Sequence, residues 1–342
     1  MTQPVKPDSL SSQQDNSKLK YLQLAQRLTD QIKNGELRVN DQLPSVNQLS
    51  ADLRISKSTV LMGLNHLSEK GIIEAVYRKG YFVRKSRIDH DYRVFFLMDK
   101  LTVFKEELYQ AFYNKLKDRA DIDVFFHNHN YRIFERLVLE NLHNYTHFVI
   151  ISILKEDVSE IINQIPPEKR IILDYNQEGL TGNYSAVYQD FAGDLYAALR
   201  DVKERIGKYK RLVMVLPDNV FYGHLVKEGF QQFCQEFDQP SALINRISEE
   251  HFAPGDVYIT LNRYDIDDVN IIKLCRQYGY TLGKDIGLIS YNDLYMKEVL
   301  EGGITVISTD FVRMGEEAAQ LILEQRTAKI KNPSKLIIRA SL

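Results

Sequence analysis

Six short apolar runs recur between residues 93 and 291, and each is followed by a stretch with helical spacing. The runs are RVFFLM (93–98), HFVIIS (147–152), RIILDY (170–175), RLVMVLP (211–217), DVYITL (256–261) and IGLISY (286–291). A strand that is apolar throughout is buried on both faces, and helices are its usual cover. The pattern therefore predicts an α/β fold with a doubly wound parallel sheet. A body of this length, 93–342, favours two lobes over one.

A different pattern precedes this body. Helical spacing runs from about residue 18 to 34, a second helix begins at Ser45, and a third begins at Ser56 and stops before Gly71. Two short helices joined by two residues are typical of a helix-turn-helix. The strand-like runs IIEAV and YFVRK follow, separated by a basic turn at 77–80, which predicts a β-hairpin wing. We therefore predict a winged helix-turn-helix domain over 16–85, a disordered leader over 1–15 and a linker over 86–92.

The charge of the chain is unevenly distributed. Residues 16–85 carry twelve Lys or Arg against six Asp or Glu, whereas residues 86–342 carry 31 against 38, within a formal net charge of -2. A basic module on a mildly acidic body is what a phosphate-binding head would show. The asymmetry favours a nucleic acid as the partner of the head, although a solvated basic face is a common alternative.

The chemistry of the head lies in the first turn of its third helix, SKST at 56–59. Free backbone amides and the positive end of the helix dipole attract phosphate there, the hydroxyls can donate to phosphate oxygens, and Lys57 can reach phosphate or guanine. Because Val60, Leu64 and Leu67 face inward, we expect Lys57, Ser58, Leu61 and Asn65 to face outward.

The stretch 21–83 resembles the GntR family of regulators. The resemblance rests on GEL at 35–37, DQLPS at 41–45, SKSTV at 56–60, L-x-x-L-x-x-x-G at 64–71 and KG-Y-FV at 79–83. It implies that 56–59 enter the major groove of double-stranded DNA and that Gly80 approaches the minor groove. Family members usually carry Arg where this chain has Asn47, Lys57 and Leu61, which changes the expected base preference. The predicted DNA-binding residues are Ser45, Asn47, Ser56, Lys57, Ser58, Thr59, Arg78, Lys79 and Gly80. A winged helix that contacts protein instead is the alternative.

Polar residues follow the predicted strands of the body. Ligands of open α/β sheets bind beyond the carboxyl ends of the strands, and carboxylates, amides, Arg and Tyr are groups that bind sugar hydroxyls and faces. Each such residue is also a plausible helix cap or turn former. The strand-end residues are Asp99, Asp174, Asp218, Asn219, Asn262, Arg263, Tyr264, Asp265, Tyr291, Asn292 and Asp293.

The body resembles the LacI-type regulatory domain, which has the type I fold of periplasmic sugar-binding proteins. The carrying residues are YGYTLGKDIGLISYND (278–293), ITVISTDFVRMGEEAAQLIL (304–323), the V-x-x-D at 187–190 and the GF at 229–230. The resemblance implies two lobes, with the chain crossing near 190 and near 305. It places Asn292 where the family often has an effector-contacting Asp. Val226 stands where the family often has Arg, and Tyr222 and His224 are the nearest substitutes.

Taken together, the two resemblances imply a sugar-controlled, sequence-specific DNA-binding regulator. We expect a repressor of a carbohydrate-utilisation operon that binds a pseudo-palindromic operator as a homodimer, with L-fucose or a pentose as effector. The predicted effector-binding residues are Asp99, Asp174, Asp190, Tyr222, His224, Asn262, Arg263, Asp265, Asn292 and Asp293.

Several other classes of protein are disfavoured. No apolar run is long enough to cross a bilayer, so we expect a cytoplasmic protein with no membrane partner. Cys234 and Cys275 are expected to be buried thiols. The pairs His127/His129 and His143/His147 have no cysteine near them in the sequence and form no His-Glu-x-x-His motif. We therefore expect these histidines to be solvent or loop residues that bind no metal. No catalytic or cofactor motif is found, so we expect no enzyme and no cofactor; a sugar-metabolising enzyme with an appended DNA-binding head is the alternative.

Overall fold

The computed structural model describes residues 11–84, 91–218, 220–261 and 266–342, with side chains from residue 20 onward. The chain forms two compact units. The first comprises Met1–Leu173, Gln177–Ala186 and Gly315–Ala328, and the second comprises Asp174–Asn176, Val187–Met314 and Lys329–Leu342. Residues 85–90 lie outside the described part, so the predicted linker and domain limits stay predictions. Tyr92, assigned to that linker, is the first residue of a strand.

The first unit begins with the predicted head. Helices α1 (Ser11–Lys33), α2 (Val46–Leu53) and α3 (Lys57–Glu69) precede an antiparallel hairpin of β1 (Ile73–Val76) and β2 (Gly80–Val83). One apolar core joins all of these elements, with Leu28, Leu49, Val60, Leu64, Ile73 and Val83 buried in it. The winged helix-turn-helix prediction is therefore confirmed. Helix α1 includes residues 11–15, which were predicted to be disordered, because no Gly or Pro separates them from the apolar face that begins further along.

Two six-stranded sheets make up the body. The first sheet has the order β13-β7-β6-β5-β3-β4, and the second has the order β14-β12-β11-β10-β8-β9. Within the described residues, the paired strands of the body run parallel wherever their residue pairing is defined, except that β12 and β14 run antiparallel. The strands are β3 (Tyr92–Met98), β4 (Ala120–Phe126), β5 (His147–Ile150), β6 (Arg170–Asp174), β7 (Ser185–Tyr188), β8 (Arg211–Val215), β9 (Ser241–Ile244), β10 (Asp256–Thr260), β11 (Gly287–Tyr291), β12 (Thr305–Thr309), β13 (Lys329–Lys331) and β14 (Ser334–Ile337).

Helices alternate with these strands along the chain. They are α4 (Val103–Leu116), α5 (Tyr131–Asn141), α6 (Ser159–Ile162), α7 (Phe191–Asp201), α8 (Lys203–Ile206), α9 (Gly223–Glu236), α10 (Ile266–Tyr278), α11 (Tyr295–Val299) and α12 (Phe311–Leu323). The predicted α/β class with two parallel sheets is confirmed. None of the helices in the described ranges combines the length and the hydropathy that a bilayer crossing requires.

Strand residues of the second unit point alternately to two separate cores, as the two-residue period of a strand requires. Met214 and Ile259 pack with α7 and α9 on one face, whereas Val213 and Tyr258 pack with α10 on the other. The α7–α9 contact is close because Gly229 has no side chain. A Cβ at that position would overlap the Ala192 carbonyl.

Candidate DNA interface and effector site

Ser45 and Ser56 are the N-caps of helices α2 and α3 of the head. The Ser45 hydroxyl accepts a hydrogen bond from the Gln48 amide at the start of α2, and the Ser56 hydroxyl accepts one from the Thr59 amide at the start of α3. The Ser56 hydroxyl also lies 2.8 Å from the hydroxyls of Ser58 and Thr59. Each cap therefore satisfies one of the free amides at a helix start.

The outward side of the first turn of α3 is partly as predicted. Lys57 and Ser58 are exposed, as are Asn47 of α2 and Leu61 one turn further along α3. Thr59 departs from the prediction, because its side chain is 6% exposed and its hydroxyl contacts Ser56. Its placement supports the cap and does not present the hydroxyl to a duplex.

The turn between β1 and β2 presents a basic tip. Tyr77, Arg78, Lys79 and Gly80 are all exposed, and the Arg78 guanidinium lies 5.1 Å from the centre of the Tyr77 ring. Arg78 and Gly80 have φ values of 60° and 102°, which let the chain turn tightly. The Gln42 side chain donates to the Lys79 carbonyl at 2.7 Å and fixes the tip. Gln42 is not among the DNA-binding residues predicted from sequence.

In the first unit, the predicted effector residue Asp99 follows β3 and is buried. Its carboxylate forms an ion pair with the buried Lys105 of α4, and His129 Nε2 lies 3.6 Å away. Asp99 is therefore charge-compensated within its own unit. His127 lies in the loop after β4, as expected, but its ring is fully buried and Nε2 lies 3.0 Å from the Ile151 carbonyl. The same expectation is wrong for His147, which is half-buried and is the first residue of β5. Burial lowers the pKa of His127.

In the second unit, Asp174 is joined to other polar groups by Gln189. The Gln189 side chain donates to the Asp174 carboxylate and accepts from the Thr309 hydroxyl. The Thr309 amide in turn donates to Asn292 Oδ1 at 3.4 Å. Asp174 and Asn292 both have positive φ, 71° and 58°, and each lies at the carboxyl end of its strand. The structure thus links two predicted effector residues through Gln189 and Thr309, which sequence reasoning missed.

Asp190 is the N-cap of α7 and lies beside a second acid. Its carboxylate accepts from the Gly193 amide at 3.1 Å, and Lys331 Nζ lies 2.9 Å from Asp190 and 3.0 Å from Asp194. Burial alone would raise the pKa of Asp190, but the hydrogen bonds from Lys331 and Gly193 outweigh it and lower the pKa. At Asp194 burial prevails and raises the pKa.

An aromatic group lies next to these acids. Tyr222 stacks on Phe191 with ring centres 4.4 Å apart and planes 6° from parallel. Burial, followed by the nearby Asp174 carboxylate, raises the pKa of the Tyr222 phenol. The Tyr291 hydroxyl is buried and has no hydrogen-bond partner among the described residues. Flat aromatic faces beside carboxylates suit a ligand with both apolar and hydroxyl-bearing surfaces.

The remaining predicted effector residues differ in availability. Asp293 is held by a bidentate ion pair with Arg339, at 2.8 and 2.6 Å, so both of its carboxylate oxygens are engaged. His224 is exposed in the first turn of α9. Asn262, Arg263 and Asp265 lie outside the described residues. No trio of His, Cys, Asp or Glu side chains in the described ranges is arranged to hold a metal ion.

Comparison with known proteins separates the chain into two matched regions. Residues 20–83 match bacterial regulatory proteins of the gntR family, and residues 207–342 match the periplasmic binding protein-like domain. The mannosyl-D-glycerate transport/metabolism system repressor MngR of Escherichia coli is 35% identical over 88 residues, covering 26% of this chain and 34% of MngR. The chain thus spans about a third of the length of this curated relative.

Solved structures resemble the body. A LacI family transcriptional regulator from Silicibacter pomeroyi superposes with a TM-score of 0.61 at 16% identity, and the alignment covers 73% of this chain and 98% of the regulator. A LacI family regulator from Lactobacillus casei, solved with bound glucose, has a TM-score of 0.58 at 14% identity and covers 73% and 99%. At these identities the likeness concerns the fold. Residues 20–83 therefore match the gntR family of bacterial regulatory proteins, residues 207–342 match the periplasmic binding protein-like domain, and the body has the fold seen in LacI family regulators.

Proposed function

We propose that this protein is a transcriptional regulator that binds double-stranded DNA through its head and a sugar through its body. The observation that carries the proposal is the exposure of Lys57 and Ser58 at the amino end of α3, in the same small head as the basic wing tip of Arg78 and Lys79. Amides, hydroxyls and cations at a helix start bind phosphate. The match of 20–83 to gntR-type regulators supports the same reading.

We infer that the effector is an uncharged monosaccharide such as L-fucose or a pentose. Four polar or aromatic residues of the second unit support it, namely Asp174, Asp190, Tyr222 and Asn292. Their carboxylates, amide and ring suit hydroxyls and an apolar sugar face. Both oxygens of Asp190 and of Asp293 already accept hydrogen bonds, from Gly193 and Lys331 and from Arg339, so a sugar hydroxyl at either carboxylate would use a remaining lone pair. The Lactobacillus casei neighbour, of the same fold, holds glucose.

The proposal includes a cytoplasmic homodimer that represses its operon from a pseudo-palindromic operator. Exposed apolar side chains support a second copy as the partner: Tyr295, Met296 and Val299 of α11 are 85%, 62% and 70% exposed. A group of such residues on one short helix is more than scattered single exposures. Met296→Glu is expected to shift the protein towards monomer in sedimentation, whereas Val269→Glu on α10 leaves it unchanged.

The DNA-binding part is tested with Lys57→Ala and the matched control Lys70→Ala, which removes an exposed lysine from the opposite end of α3. A duplex is first selected from a random-sequence pool, and its affinity is measured by fluorescence anisotropy over a salt series. If Lys57 contacts a phosphate, its removal weakens binding and lowers the salt slope by about one. Lys70→Ala should change neither quantity. Failure to select any duplex would contradict the proposed function.

The effector part is tested by thermal shift across monosaccharides. A ligand at about 100 times its Kd stabilises the native state by about 2.7 kcal/mol. Tyr222→Ala should abolish the shift, whereas Tyr196→Ala, which alters a tyrosine of α7 that bonds Glu236, should retain it. Flat melting temperatures with every sugar would contradict a sugar effector.

A further inference from the structure

The outer edge of the wing strand β1 is covered by a side chain from the body. Arg84 N donates to Ile72 O at 2.8 Å, and the register pairs Ala75 with Tyr81. Along an antiparallel strand, residues that hydrogen-bond to the partner strand alternate with residues that do not. Ile72 bonds to the partner strand, so Ala75, three residues later, does not, and its N–H and C=O point away from β2. Asn144, in the turn between α5 and β5, meets both: its Oδ1 accepts from Ala75 N at 2.9 Å and its Nδ2 donates to Ala75 O at 3.3 Å.

The same side-chain amide also contacts α3. The buried Ser68 hydroxyl, near the end of α3, lies 3.0 Å from Asn144 Oδ1. Asn144 itself is 2% exposed. One side chain of the body therefore bonds the buried Ser68 hydroxyl of α3 and both backbone polar groups of the half-buried Ala75 of the wing. Unpaired polar groups at such sites cost stability.

Further contacts surround Asn144. The Arg93 guanidinium donates to the Asn144 carbonyl at 3.1 Å and to Asp123 at 3.2 Å, and it stacks on the Tyr145 ring at 4.5 Å. Arg93 is 4% exposed, and its chain lies against Gly71, where a Cβ would be 3.3 Å from Arg93 Cδ.

An ion pair extends this contact, because Lys169 Nζ bonds the Glu69 carboxylate of α3. These hydrogen bonds, the stacked guanidinium and the ion pair together restrict the orientation of the head relative to the residues that follow it in the first unit.

We propose that Asn144 is a positioning residue that fixes the DNA-binding head on the first lobe of the body. We call the contact formed by Ser68, Glu69, Gly71 and Ala75 with Arg93, Asn144 and Lys169 the Asn144 joint. Through this joint the head and the first lobe, which is the part of residues 93–342 that belongs to the first unit, move together as one rigid group. Its regulatory consequence rests on the proposed function: a change in the orientation of that lobe reorients α3 and the wing.

Hydrogen exchange on the full chain, without DNA or sugar, tests the joint directly. In Asn144→Ala the Ala75 amide loses its acceptor, and its exchange should become about tenfold faster, as for the loss of one hydrogen bond. The matched control is Asn163→Ala, an asparagine of the same lobe that bonds Arg170 and Thr181 instead. It should leave Ala75 exchange unchanged. Equal Ala75 exchange in wild type and Asn144→Ala would overturn the proposal.

A second measurement does not depend on fold stability. Glu69→Cys with Lys169→Cys places two thiols across the joint, and both natural cysteines are buried. A short bis-maleimide should cross-link this pair efficiently, and adding Asn144→Ala should slow the cross-linking severalfold, whereas adding Asn163→Ala should not. An unchanged rate with Asn144→Ala would also overturn the joint.

The outcome is separable from that of the proposed function. If no duplex binds while exchange and cross-linking respond as expected, the joint stands and the DNA-binding proposal fails. If a duplex binds, Asn144→Ala should retain affinity for it but bring the ratio of affinities with and without sugar towards one. An unchanged ratio would overturn the role of Asn144 in coupling.

Discussion

Replacing Lys297 with Met should strongly destabilise the second unit. The Lys297 ammonium is 2% exposed and donates to Ser290 Oγ, Tyr291 O and Asn292 O at 2.8, 3.0 and 3.1 Å. It lies 3.4 Å from the carboxylate of Asp268, which is 3% exposed. Met fills a similar volume but donates nothing, so two carbonyls lose a donor and a buried carboxylate loses its cation.

The size of the effect follows from this geometry. Breaking a buried ion pair by removing one partner costs about 3–5 kcal/mol, because the other charge stays buried and uncompensated. For a unit of roughly 150 residues this corresponds to a fall in Tm of about 10 °C. Urea denaturation followed by circular dichroism measures the free energy of unfolding. Lys273→Met, the same change at an exposed site of α10, should alter it by about 0.5 kcal/mol or less.

A double mutant isolates the charge interaction. Combining Lys297→Met with Asp268→Asn removes both charges, so the pair should cost about 2 kcal/mol less than the sum of the single changes. If Lys297→Met costs under about 1 kcal/mol, or if the two changes add, the ammonium is not the partner that compensates Asp268, and the reasoning is refuted.

Two further perturbations follow from buried groups in each unit. Burial, and then the charge of Lys169, lower the pKa of His147 to about 4, so the imidazole stays neutral in the folded protein. Because the unfolded chain binds a proton at higher pH, the free energy of unfolding should fall by up to about 3 kcal/mol as pH drops from about 6.5 to 4. His147→Gln should flatten that part of a plot of stability against pH. A flat profile in the wild type would contradict this. Gly229→Ala should lower the free energy of unfolding, measured by urea denaturation, by about 1–3 kcal/mol or more, because the new Cβ would overlap the Ala192 carbonyl. Gly35→Ala has open space around its Cβ but a φ of 78°, and it should lower the free energy of unfolding by about 1 kcal/mol. Equal losses would show that the α7–α9 approach is not tight.

Six interior strands of the described body could be predicted from sequence, whereas the interior strands β7 and β12 and the edge strands could not. Each of the six continuous apolar runs contains a strand, because a central strand is covered on both faces and must be apolar throughout. β4 (ADIDVFF) and β9 (SALI) lie at sheet edges and are only partly buried, so polar residues interrupt their apolar pattern. Nothing in a short, mixed run distinguishes such a strand from a loop.

The same limit applies to the candidate sites. Strand-end positions such as Asp99, Asp174 and Asn292 can be named from sequence because the end of an apolar run is local information. Their partners cannot, since the Thr309 that contacts Gln189 is 120 residues away along the chain, and the Lys331 that contacts Asp190 is 141 residues away. Thr59 illustrates the opposite error: a polar residue within a polar motif is buried, and its hydroxyl lies 2.8 Å from the Ser56 hydroxyl.

The bonding of Asp174 bears on how a ligand would be sensed. Its carboxylate already accepts from Gln189, and the Gln189 amide also donates to the Asp174 carbonyl at 2.9 Å. A sugar hydroxyl that binds this carboxylate must share it with Gln189 or displace the side chain, which also holds Thr309. A ligand bound there would therefore change the hydrogen bonds that join Asp174, Gln189 and Thr309 within the second unit.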